Sequence, residues 1–233
     1  SDAARQAEVG RGYLKREARI DELNGHPPGS NGPMVTALKK YNGGRVSVFA
    51  MGAFSFWGPA FLNRVHGMNL ADASLFLGPT LVVGGILGTL IGGYFANKWR
   101  DKSPSGYAKL LLISVLCAVP FSFVSFLTEN TLLSMICIAL SLIFLFQSTG
   151  PINTVIMESV APNMRASAMA ICIFMIHAFG DLWSPELVGR VSDEFGGNLR
   201  IGMLILPGAF LIAAFFWFLL VKEQNKKGEL PAV

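Results

Sequence analysis

Five stretches of this chain, 46–63, 73–97, 110–128, 130–157 and 201–221, contain no charged residue. Each approaches or exceeds the roughly 20 predominantly apolar residues with which a helix crosses the hydrocarbon core of a bilayer. A sixth stretch, about 166–190, is apolar except for His177, Asp181, Glu186 and, at its last position, Arg190. In hydrocarbon every backbone polar group must be satisfied within the protein, which helices of this length do by themselves. The composition agrees: 52% of residues are hydrophobic and 15% charged, where a soluble domain carries about a quarter charged residues. The chain is therefore expected to be an all-α membrane protein with six spans, at about 43–65, 71–97, 107–128, 131–157, 166–190 and 200–222.

The distribution of charge orients these spans. Arg5, Arg11, Lys15, Arg16, Arg19, Lys39, Lys40 and Arg45 precede the first span. Lys98, Arg100, Lys102 and Lys109 lie between the second and third, Arg165 between the fourth and fifth, and Lys222, Lys226 and Lys227 follow the last. The other side carries only Arg64, Arg190 and Arg200. Cytoplasmic loops collect Lys and Arg, so both ends of the segment are expected on the cytoplasmic side. A bacterial inner membrane is the expected location. The basic balance then reflects topology and anionic lipid headgroups rather than nucleic acid.

Cys117, Cys137 and Cys172 all fall inside spans, without the spacing of a metal site or redox pair. No phosphate-binding loop, zinc-protease motif or nucleophile elbow is present, so neither an enzyme nor a cofactor or metal site is expected. Residues 1–33 read as a cytoplasmic linker: a basic amphipathic stretch with Tyr13, Leu14, Glu17, Ile20 and Leu23 at helical spacing, followed by the helix-breaking "NGHPPGSNGP". Residues 34–222 form the bundle and 223–233 a cytoplasmic tail. A six-helix unit entered through a linker reads as the second half of something larger.

Two segments carry a family resemblance. Residues 56–102, "FWGPAFLNRVHGMNLADASLFLGPTLVVGGILGTLIGGYFANKWRDK", contain W-x-P-x-F-L-x-R and a glycine-laden helix ending in G-G-Y. Residues 150–193 contain H-x-x-G-D-x-x-S-P. Together they resemble the carboxy-terminal half of a major facilitator superfamily transporter, in particular its spinster branch. The resemblance implies twelve helices in two six-helix halves, of which this chain holds the seventh to twelfth. It also implies an amino-terminal six-helix half as partner, a substrate site at the bilayer midplane between the halves, and alternating access by rocking of one half against the other. The family pattern places Asp-Arg after the eighth helix; here Asn97-Lys98 stands there, followed by Trp99-Arg100-Asp101. An acidic partner is missing at 97. Either Asp101 replaces it or any such charge lock belongs to the other half.

Within the spans, His177 and Asp181 are one helical turn apart, with Phe174 and Ser184 or Pro185 extending their stripe. A carboxylate at a helix centre costs roughly 2.5–3.5 kcal/mol on insertion scales, so the stripe faces protein or a water-filled cavity. Two compatible readings follow: an interhelical hydrogen bond, or a cavity site that binds a substrate headgroup or exchanges a proton. In the seventh helix, Gly58-Pro59 interrupts the ladder of backbone donors, and Phe54, Trp57 and Phe61 offer aromatic wall or gate surface, with interfacial anchoring the alternative for Trp57. Gly84, Gly88 and Gly92 form a GxxxGxxxG ridge for close helix approach, with sliding at the interface between halves as its functional extension. Gln147 and Asn153, around Gly150-Pro151, are polar enough for a cavity lining. Glu158 is either a loop ion pair with Arg165 or a proton-coupling acid. Asn97 and Arg100 mark the degenerate gating motif. The ninth and twelfth helices, which lack ionisable groups, are expected as peripheral supports facing lipid.

The resulting expectation is a secondary active, proton-coupled transporter of a lipid-like amphiphile such as a lysophospholipid or sphingoid lipid. An organic-anion or drug transporter is the alternative of the same class, and a non-transporting membrane receptor or scaffold the alternative of another.

Overall fold

In the computed structural model, the described residues are 49, 51–103, 105–158, 160, 162–178 and 182–228. The expected linker and tail end, and Asp181, lie outside them. Among the described residues the regular structure is helical: α1 (51–66), α2 (Leu70–Arg100), α3 (Gly106–Leu127), α4 (Thr131–Phe146), α5 (Thr149–Glu158), a 3₁₀ turn (Pro162–Met164), α6 (Arg165–Ile176), α7 (Ser184–Glu194), α8 (Leu199–Met203) and α9 (Ile205–Gly228). Among the described residues, four helical stretches are long and apolar enough to cross a membrane: Leu70–Arg100, Gly106–Leu127, Thr131–Thr154 and Leu199–Lys222.

Short polar caps set several of the turns between helices. Gly67 takes φ 68°, a left-handed conformation that costs glycine little, and ends α1. Asn69 then caps α2, its side-chain oxygen accepting from the Ala71 amide at 2.9 Å. Asn130 caps α4 through the Leu133 amide at 3.0 Å, and Asn198 caps α8 through the Arg200 amide at 3.1 Å. Helices continue through Pro79, Pro120 and Pro59 alike. The predicted interruption at Gly58-Pro59 therefore does not break α1.

The core sits around α3, which packs most extensively on α9 and α4, while α2 lies against α4 and α3, and α7 against α8. The ninth and twelfth helices, α3 and α9, also keep an exposed apolar side, with Ile113, Leu116 and Val124 on α3 and Leu211, Phe215 and Phe218 on α9. Helices α3 and α9 hold the bundle together, with Leu111, Val115, Ala118, Phe210, Ala213 and Trp217 all buried. The reason is polar as well as apolar. On the face α3 shares with α4, Ser122 and Ser141 hydroxyls meet at 2.6 Å, Ser134 Oγ donates to the Ser125 carbonyl at 2.8 Å, and Ser114 Oγ donates to Gln147 Oε1 at 3.2 Å. Small hydroxylated residues let two helices approach and bond across the interface where no water competes.

The glycine ridge is a close-approach surface, but its partner is α4 within this unit. A Cβ on Gly88 would lie 2.5 Å from the Ile143 carbonyl oxygen, and one on Gly92 would strike the Gln147 backbone. The ridge is consumed there, which corrects its expected use as a sliding face between halves.

Candidate functional site

The segment carrying H-x-x-G-D-x-x-S-P holds the end of one helix and the start of the next, with residues 179–181 outside the described residues. Helix α6 ends at Ile176, and the Leu182 amide then donates to the His177 carbonyl at 3.2 Å, five residues back. Such wide π-type turns interrupt helices mostly at functional positions. Helix α7 starts afresh at Ser184 with Pro185 in its first turn. Proline explains the restart, because it has no amide to donate backwards and its fixed φ suits a helix's first turn. Backbone of this kind is tolerated at membrane depth where protein or a water-filled cavity surrounds it.

His177 is exposed at this turn, and Phe174, one turn earlier, is exposed too. Helix α7 differs in character. Ser184, Val188 and Ser192 form the buried face of α7, on which Gly202 of α8 sits so closely that a Cβ there would lie 2.6 Å from the Val188 carbonyl. The opposite face of α7 carries Glu186 and Arg190, paired at 2.8 Å with side chains 57% and 72% exposed, and Asp193 and Glu194, also exposed. A helix with so charged a face is at home beside water and not beside lipid tails.

Trp57 ties α1 to α7. Its indole N–H donates to the Pro185 carbonyl at 2.8 Å. Its six-membered ring rests beside Gly189, whose hypothetical Cβ would meet Cζ2 at 3.2 Å. Phe56 stands edge-on to it at 5.3 Å, and the Arg64 guanidinium lies 5.8 Å from the ring centre. Phe54 and Phe61, expected as cavity wall, are instead fully buried and pack on Phe126 of α3, with ring centroids 5.6 and 5.3 Å apart. They turn inward because α1 presents that face to α3. The aromatic that α1 leaves exposed is Phe56.

The remaining expected residues are dispersed. Gln147 lies buried at the Gln147–Ser148 turn between α4 and α5, bonded to Ser114, and Asn153 is half-buried on α5. Gly58 faces Leu77, where a Cβ would meet a methyl at 2.6 Å. Asn97 accepts from the Tyr107 hydroxyl at 3.2 Å, and Arg100 lies over the same ring at 5.5 Å, so Tyr107 joins the two residues of the degenerate motif. Arg165 donates to the Met157 carbonyl at 3.2 Å; the Glu158 side chain lies outside what the structure describes. The serines of the α3–α4 face were missed in the sequence. Their spacing, Ser114, Ser122 and Ser125 against Ser134 and Ser141, was the available signal.

At the carboxy-terminal end of α1, the His66 ring stands edge-on to Phe61 at 5.5 Å, with Nδ1 3.5 Å from Thr131 Oγ1. Burial, and after it the Arg200 guanidinium, hold this imidazole below its ordinary pKa, against an opposing contribution from the Glu129 backbone. Arg200 itself donates to the Leu127 carbonyl at 3.0 Å.

Residues 43–185 match the family model of the Major Facilitator Superfamily. The chain is 33% identical over 190 residues to "Probable sphingolipid transporter spinster homolog 2" of Arabidopsis thaliana, covering 79% of this chain and 38% of that protein. It is 29% identical over 167 residues to an "MFS-type efflux pump" of Mycolicibacterium smegmatis, covering 69% and 39%. In fold it is similar to the crystal structure of a bacterial homolog of the human lysosomal transporter spinster, in an inward-facing and unoccupied conformation, with TM-score 0.73, 21% identity, and 84% and 50% of the two chains covered. The chain thus spans about half the length of that structure and less of the curated relatives. Its helical fold, its membrane-length helices and these matches together identify an integral, multi-pass membrane protein that belongs to the Major Facilitator Superfamily and is spinster-like.

Proposed function

We propose that this chain supplies one six-helix half of a secondary active transporter that moves a lipid-like amphiphile, such as a lysophospholipid or sphingoid lipid, by alternating access. The observation that carries the reading is the π-type turn after Ile176, closed by the Leu182 amide on the His177 carbonyl, with the His177 side chain exposed there beside an apolar helix. Interrupted helices near the midplane are where transporters of this architecture bind substrates and coupling ions. Proton coupling is assigned to His177 and Asp181, an imidazole and a carboxylate four residues apart in a mostly apolar run, where ionisable groups mark ion and proton pathways. The charged face of α7 fits an aqueous vestibule at the outer end, and the exposed Phe174 fits contact with an apolar tail. The amino-terminal half is the partner, both ends of this half face the cytoplasm, and a bacterial inner membrane is the setting. The substrate class is supported by the spinster likeness and not by fold, which hosts many activities.

The mycobacterial relative named as an efflux pump favours a second reading, a drug exporter. Competition in one flux assay separates them: a lysophospholipid that displaces a labelled drug only weakly favours the second. For the coupling role, His177→Ala and Asp181→Asn in the complete protein are expected to lose pH-driven accumulation in proteoliposomes while retaining gradient-free exchange. Wild-type accumulation in both variants would remove these residues from coupling and leave them as polar packing.

A further inference from the structure

We infer that Lys109 of α3 and Lys222 of α9 clamp the phosphate of an anionic phospholipid, whose chains lie along the exposed apolar stripes of the same two helices. The site lies apart from the His177 turn and does not depend on the transport reading.

The two helices run antiparallel and are tied at both ends. At one end the Ser105 hydroxyl donates to Asn225 Oδ1 at 2.6 Å. At the other, the Arg200 guanidinium, just ahead of α9, donates to the Leu127 carbonyl at 3.0 Å. Lys109 stands four residues inward from Ser105, and Lys222 three residues inward from Asn225. With a rise of about 1.5 Å per residue, their backbones differ in depth by about 1.5 Å, so the two lysines share one level. That level is a membrane boundary. From Lys109 to Leu127 is about 27 Å of helix, close to the roughly 30 Å of a hydrocarbon core.

A polar network holds the lysines in place. Lys109 Nζ donates to Ser103 Oγ at 3.2 Å, and the Ser103 and Ser105 hydroxyls meet at 3.0 Å. Ser105 is fully buried, so its bond to Asn225 pins the start of α3 to the last turn of α9 where little water competes. The bond to Ser103 takes one of the three ammonium donors of Lys109 and leaves two for a ligand.

The surroundings define the occupant. Residues 97–109 carry four cations against Asp101, and residues 222–228 three lysines against Glu223, so this end of the bundle favours an anion. Further into the bilayer the same faces are apolar. Ile113 and Leu116 follow Lys109 on one side of α3, and Phe218 and Phe215 precede Lys222 on one side of α9. All four side chains are exposed. A lysine heading an apolar stripe on each of two packed helices fits a molecule with a phosphate at one end and acyl chains at the other.

The test is native mass spectrometry of the complete protein in detergent, offered phosphatidylglycerol and phosphatidylcholine with the same chains in equal amounts. The wild type is expected to retain phosphatidylglycerol in preference. Lys109→Gln and Lys222→Gln are each expected to lower that retention about fivefold, the equivalent of about 1 kcal/mol for one basic residue at a membrane surface. Asn225→Ala keeps every charge but removes the bond from Ser105, and is expected to act in the same direction. Lys98→Gln removes a cation that lies over the Tyr94 ring of α2 at 5.6 Å, outside the clamp, and is expected to leave retention unchanged. Equal retention of the two lipids by the wild type, or unchanged retention in the Lys109 and Lys222 variants, would overturn the clamp. An equal loss in Lys98→Gln would replace it with diffuse surface charge. Displacement of phosphatidylglycerol by millimolar inorganic phosphate would contradict a lipid occupant and assign the lysines to a soluble anion.

Discussion

His66 shows how one residue can make a corner of the bundle sensitive to pH. Its folded pKa lies below the ordinary value of 6.5, through burial first and the Arg200 charge second. The unfolded chain therefore binds more protons than the native state below about pH 6.5, and stability rises with pH through that window. The neutral ring's contribution is complete above the unfolded pKa and is lost as pH falls towards the folded one. His66→Asn is expected to flatten this part of the melting temperature–pH curve, and Arg200→Gln to shift the loss to a narrower window nearer pH 6.5. Thermal unfolding in detergent across pH 5 to 8 measures both, and an unchanged slope in His66→Asn would contradict the assignment. Glycine positions give an equally local prediction. Gly88→Val presses on the Ile143 carbonyl, a backbone group that cannot turn aside, and is expected to cost about 1–3 kcal/mol or more. Gly93→Ala meets nothing within 4 Å and is expected to be neutral or to gain up to about 1 kcal/mol of helix propensity.

At the scale of elements, the α3–α4 interface combines hydroxyl pairs with close packing. Ser122 and Ser141 share one bond at 2.6 Å and also have the Ala118 carbonyl within reach, at 2.8 and 3.4 Å. Ser141→Ala and Ser122→Ala are each expected to cost about 0.6 kcal/mol, the average for such bonds between membrane helices. The double variant should cost less than the sum, because the second change removes a group already deprived of its partner. Strict additivity in a double-mutant cycle would show that the pair does not interact. This interface was nearly invisible in the sequence, since a hydroxyl lowers the hydropathy of an apolar run very little and raises no charge signal. The helices themselves were legible for the opposite reason: bilayer thickness dictates run length, and a run of uncharged residues advertises it directly. The GxxxGxxxG ridge was legible as a close approach but not as an approach to α4, because spacing says that something comes near and not what. The Trp57–Pro185 bond joins residues 128 positions apart, and only the fold brings them together. Phe54 and Phe61 were assigned to a wall because aromatic character marks burial without saying on which side the burial lies.

For the whole molecule, a core built on α3, α4 and α9 leaves α6 with the π-type turn after it, the carboxy-terminal end of α1 and the exposed side of α2 as the surfaces with work to do. Val82, Val83, Ile86, Leu87 and Leu90 on α2 are all exposed, as suits an element that meets lipid or a second half. The measurement that bears most directly on this account is uptake of a labelled lysophospholipid into proteoliposomes by the complete protein under an imposed pH gradient. The account predicts saturable, protein-dependent uptake that collapses when the gradient is dissipated. Folded protein giving uptake no greater than that of protein-free liposomes, with or without the gradient, would contradict it.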